Sequence, residues 1–129
     1  MLLKEKYVTS RKDIVREYKE RRKPAGIYQI KNTANDRFLL DSSMNLEGVL
    51  NSHKFKLSAG MHPNKVLQKE WNIFGTDKFV FEILESVQEN DEPGFSMEDE
   101  LTLLKQIWLE KLRDDGNEDY NKSVRSHEA

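Results

Sequence analysis

Residues 26–53, GIYQIKNTANDRFLLDSSMNLEGVLNSH, leave little freedom of fold. Tyr28 and Ile30 point one way along an extended segment, and Ile27 and Gln29 the other. This two-residue period predicts a strand. Asn32 to Asp36 carries turn chemistry, so Arg37-Phe38-Leu39-Leu40 is expected to return as the partner strand of a hairpin. Asp41, Ser42, Ser43 and Asn45 then offer capping oxygens to a helix whose apolar positions are Leu46, Val49, Leu50, His53 and Leu57. Gly60 is its stop.

The remaining elements follow by the same reasoning. Thr9-Ser10 with Asp13 predicts a basic helix ending near Arg22, before Pro24. Asn64 opens a further helix with Val66, Leu67, Trp71 and Phe74 inward, and Gly75 closes it. Phe79 to Ser86 alternates as a third strand, Phe79, Phe81 and Ile83 against Val80, Glu82 and Leu84. The segment 88–94, QENDEPG, reads as a loop. Ser96 caps a last helix with Leu101, Leu104, Ile107, Trp108 and Leu112 as its buried stripe. The expected architecture is α+β, a small three-stranded antiparallel sheet flanked by helices. Its divisions are a basic helical extension (1–24), the domain proper (25–122) and a disordered tail (123–129).

Charge is unevenly spread. Residues 1–23 carry nine Lys/Arg against four Asp/Glu, whereas residues 82–119 carry three against thirteen. A basic front and acidic rear suit oriented approach to a polyanion, with Arg16 and Arg22 as candidate phosphate contacts on the first helix. Two solvated helices of opposite charge would look the same. The acidic stretch equally suits a basic protein partner. There is no cysteine, which excludes disulfides and thiolate chemistry, and no apolar run reaches the length of a membrane helix. A cytoplasmic protein without membrane contact is the simplest expectation. Oligomeric state is not encoded in any of these features.

Gly26-Ile27-Tyr28, then Ser42-Ser43, Asn45-Leu46 and His53, then Phe79 and Phe81-Glu82-Ile83-Leu84-Glu85, occur in an order that resembles the GIY-YIG nuclease family. Trp108 and Tyr120-Asn121 extend the similarity to about residue 121. The resemblance implies a GIY-YIG-like fold and metal-dependent cleavage of DNA. It implies that Tyr28 and His53 sit where water is activated. Ser42, Ser43, Lys54, Lys56, His62 and Asn121 are then candidates for contact with nucleic acid.

Four positions depart from the family's pattern. Leu39-Leu40-Asp41 stands where YIG is expected, so the second tyrosine is Leu39 and the glycine is Asp41. Val49 stands at the arginine position, and Lys105 at the glutamate that holds the metal. An arginine adds fixed positive charge and a metal neutralises developing oxyanion charge, so both losses fall on the charged transition state. The expectation is therefore a catalytically impaired, DNA-binding homologue with no cofactor. Mg²⁺ or Mn²⁺ belongs to the alternative, an active endonuclease with a rearranged site, which Asp41 would join. A protein-interaction or regulatory module on the same fold is the third reading.

Overall fold

The computed structural model describes residues 10–14 and 24–121. Residues 11–14 are helical, with the Asp13 N–H donating to Ser10 Oγ at 3.2 Å as the capping pattern predicts. The rest of the basic helix, with Arg16 and Arg22, and the tail after Asn121 lie outside the described residues.

Strands β1 (Ala25–Asn32) and β2 (Arg37–Ser43) form the expected hairpin, in a register that sets Tyr28 opposite Asp41 and Ile30 opposite Leu39. Helix α1 (Leu46–Ser58) follows, with Asn45 Oδ1 accepting the Gly48 N–H at 3.0 Å. Helix α2 (Lys65–Phe74) is capped by Asn64, whose side chain accepts the Leu67 N–H. Strand β3 (Phe79–Val87) pairs antiparallel with β1, and helix α3 (Met97–Asp114) starts at the Ser96 cap. A fourth strand, β4 (Glu118–Asp119), corrects the three-stranded expectation. It pairs in parallel with Arg37 and Phe38, so the sheet order is β3-β1-β2-β4 and the sheet is mixed. Two residues after a helix stop carry no strand periodicity, which is why pattern reading passes over them.

The alternation along β1 divides the core into two layers. Tyr28, Ile30 and Leu39 face α1 and α2, packing with Leu46, Leu57, Leu67, Trp71, Phe79 and Tyr120. Ile27, Phe38 and Leu40 face α3, packing with Leu101 and the partly buried Leu104, Trp108 and Leu112. Ile107, expected inside, is exposed, and Leu109 packs instead. Ile83, opposite Tyr28 on the edge strand, is also exposed, next to a slip in the β1–β3 register between Ile27 and Tyr28.

Gly26 sits where β3 passes closest. A Cβ there would lie 1.9 Å from the Glu85 carbonyl oxygen, and the obstacle is backbone, which cannot swing aside. Gly26→Ala is expected to destabilise the domain by about 1–3 kcal/mol through overpacking. A lowered urea midpoint at unchanged slope would register it.

Candidate active site

The end of β2, the last turns of α1 and the loop into α2 frame an open pocket of about 380 Å³, lined by Leu39, Asp41, His53, His62, Pro63, Asn64 and Asn121. Helical spacing puts His53 on the face of α1 that looks at the sheet, one turn before the buried Leu57. His62 precedes Pro63 in the connection to α2, and is 2% exposed. Its backbone N–H donates to Gln68 Oε1 at 3.0 Å, and Gln68 Nε2 donates to the Leu57 carbonyl at 3.1 Å. The two helix ends are thereby tied together around the imidazole.

A continuous chain of hydrogen bonds crosses the site. Tyr28 Oη is 2.8 Å from His53 Nε2, and His53 Nδ1 is 2.8 Å from His62 Nε2. The chain ends where the Asn64 backbone N–H donates to His62 Nδ1 at 3.0 Å. The two imidazoles stack with centroids 5.0 Å apart. Burial, with Lys56 adding to it, holds the His53 pKa below its ordinary value against the smaller pull of Asp41. Burial, His53 and Lys56 bring His62 down to about 4. Both rings are thus neutral at neutral pH. Burial first, and then the Asp41 charge, push the Tyr28 phenol well above its ordinary value, so it stays protonated.

Asp41 carries the charge of the pocket rim. Its Oδ1 accepts the Ser42 N–H at 2.8 Å and lies 3.0 Å from Lys105 Nζ. β4 pairs only with Arg37 and Phe38, so at Asp41 β2 is the edge of the sheet, within reach of α3. Both members of the pair are nearly half exposed, so the bond contributes at most about 1 kcal/mol. Its consequence is electrostatic: the ammonium offsets the one carboxylate among the described residues that line the pocket.

The divalent metal that the resemblance implies does not fit these donors. Asp41 is engaged by Lys105, and each histidine has both ring nitrogens in hydrogen bonds. Among the described residues no three His, Cys, Asp or Glu side chains converge to hold an ion.

The other candidates are placed as follows. Asn121 joins the pocket, its Oδ1 3.4 Å from Asn64 Nδ2. Ser43 Oγ accepts the Asn45 N–H at 3.0 Å, which forms the turn into α1. Lys54 Nζ lies 5.1 Å from the centre of the Phe81 ring, and Val49 packs against the core as an apolar residue. Leu39 is buried beneath the cavity and brings no polar group. Sequence reasoning missed Asn64 and Gln68 as supports of the histidines. The Asn64 capping pattern was the available signal, but it marks a helix start rather than a ring contact.

The fold defines the class: a GIY-YIG-like domain, a nuclease-family fold. The particular likeness is to the catalytic domain of the homing endonuclease I-TevI, with 28% identity and a TM-score of 0.58 over 74% of this chain and 96% of that one. A second structure, a point mutant of the catalytic domain of intron endonuclease I-TevI, matches at 28% identity and a TM-score of 0.57, over 74% of this chain and 90% of that one. No family model matches the chain, and a search of curated proteins returns no relative. Among the described residues no helix is long and apolar enough to cross a membrane.

Proposed function

We propose that this domain grips the phosphate backbone of DNA without cleaving it efficiently. The observation that carries the reading is the Lys105–Asp41 pair, which sets an ammonium at the pocket rim and neutralises the only carboxylate among the described residues that line the pocket. A cation there opposes a divalent metal and favours a phosphate oxygen. Leu39 and Val49 point the same way, since neither supplies the hydroxyl or fixed charge that phosphodiester cleavage uses. The nuclease-family likeness makes DNA the natural polyanion. Lys56, close enough to lower both histidine pKa values, supplies the surplus positive charge.

Binding of this kind is salt-dependent, because each neutralised phosphate releases condensed counterions. Titration of a labelled duplex at several salt concentrations is expected to give affinity falling linearly on logarithmic axes. Lys56→Ala is expected to lower that slope by about one. A wild-type protein that fails to bind duplex even at low salt would sink the reading.

A further inference from the structure

We infer that the backbone N–H of Asn64 polarises the His62–His53–Tyr28 chain in one direction, so that the Tyr28 hydroxyl, buried beside the pocket-lining Asp41 and His53, is left as a hydrogen-bond donor for a ligand offering an acceptor oxygen. The relay's direction follows from hydrogen counting alone. Only the identity of the ligand, a phosphodiester oxygen, rests on the function proposed above.

An amide nitrogen can only donate. At 3.0 Å the Asn64 N–H therefore requires a lone pair on His62 Nδ1, which places the proton of a neutral His62 on Nε2. That Nε2–H donates to His53 Nδ1 at 2.8 Å, so His53 in turn carries its proton on Nε2. The same argument moves one step further, and His53 Nε2–H donates to Tyr28 Oη at 2.8 Å. The phenol oxygen is thus an acceptor towards the protein, and its own hydrogen has no place in the relay. Reversing the chain would need a proton on His62 Nδ1 facing the Asn64 N–H, two donors at hydrogen-bond distance. An imidazolium at His53 fails too, because its Nδ1–H would meet His62 Nε2–H.

Tyr28 is 2% exposed, and its cross-strand neighbour Asp41 and partner His53 both line the cavity. Asp41 Oδ1 is already occupied by Ser42 and Lys105. In this arrangement His53 cannot withdraw the Tyr28 proton, because the nitrogen facing the phenol already bears one. Tyr28 positions an acceptor atom; it does not act as a base through His53. His62 and Asn64 are positioning residues, acting through His53.

Nitrogen NMR of the histidine side chains in the full chain, without DNA, reads the tautomers directly. At neutral pH both His53 and His62 are expected to show a protonated Nε2 and an unprotonated, pyridine-type Nδ1. A protonated Nδ1 on either ring, alone or as imidazolium, would overturn the relay's direction. His62→Phe keeps an aromatic ring but removes the polarising donor, and His53 is then expected to divide between both tautomers. If His53 keeps its single tautomer in that variant, Asn64 and His62 are not what sets it and the inference fails. For the ligand, Tyr28→Phe is expected to weaken binding of a DNA duplex about tenfold or more, the loss of one hydrogen bond to a charged oxygen. Unchanged affinity would overturn the donor role. A wild type that binds no DNA would overturn the phosphate reading and the ligand assignment, with the relay's direction still decided by the spectra.

Discussion

Replacing Glu70 by alanine is expected to destabilise the domain by about 3–5 kcal/mol, the range for breaking a buried charge network from one side. Glu70 lies on α2 and is 9% exposed. Its Oε1 accepts from Asn32 Nδ2 at 3.1 Å, Asn35 Nδ2 at 2.7 Å and Tyr120 Oη at 2.7 Å, while Oε2 meets the Arg37 guanidinium. One carboxylate therefore joins the β1–β2 turn, the start of β2 and the segment that follows β4. Arg37 also lies over the Tyr120 ring, its guanidinium carbon 4.8 Å from the centroid. Alanine would leave Asn32 and Tyr120, both 0% exposed, without these acceptor bonds. Burial raises the Glu70 pKa, but the hydrogen bonds from Asn35 and Tyr120, the Arg37 charge and the Asn32 amide outweigh it, and the net shift is downward. A carboxyl depressed in the folded state contributes stability that is present above its unfolded pKa, about 4.3. That contribution is lost as pH falls through the lower folded value. Urea unfolding of wild type and Glu70→Gln across acid pH is therefore expected to show two curves converging on acidification. Curves that stay parallel would deny Glu70 this role.

The second large effect is expected in catalysis. Wild-type protein is expected to leave supercoiled plasmid intact in Mg²⁺ or Mn²⁺, and the double variant Val49→Arg/Lys105→Glu to nick it. Lys105→Glu would set a second carboxylate beside Asp41, replacing an ion pair with two oxygen donors that suit a hard divalent cation. Val49→Arg would return a fixed positive charge to α1, one turn before His53. Losing one preorganised charge lowers rates by about 10²–10³, and losing an arginine contact by about 10³–10⁵. Because such groups act together, a gain of about 10² or more over wild type is the expected floor. Cutting by the wild type that vanishes in His53→Ala would refute the proposed impairment. A double variant that binds DNA as wild type does but remains silent would refute the assignment of positions 49 and 105.

The sequence was legible wherever local chemistry decides. Helix starts at Asn45, Asn64 and Ser96 could be read because a capping side chain bonds a backbone N–H three residues on. The β1–β2 hairpin and its two faces could be read because side chains alternate with period two, so Tyr28 and Ile27 had to enter different layers. Tyr28, His53 and His62 became candidates through the resemblance to the GIY-YIG family, and the structure joins them in one chain of hydrogen bonds.

Other features arise only from tertiary contact. Along its own helix Lys105 has no acidic neighbour at the spacings that face it, yet Asp41 on β2 comes within 3.0 Å. Glu70 reads as one more polar residue of an amphipathic helix until residues 32, 35, 37 and 120 converge on it. The strand at Glu118–Asp119 exists because the segment after α3 returns beside β2. Burial of Ile107 was expected from the helical stripe, but α3 contacts the sheet along Leu101, Leu104, Trp108 and Leu112, which leaves Ile107 in solvent. Periodicity and capping act over three or four residues and are written in the chain itself. Charge pairing, pKa shifts and the direction of the histidine relay depend on distances between segments far apart in the chain, and only the packed fold sets those distances.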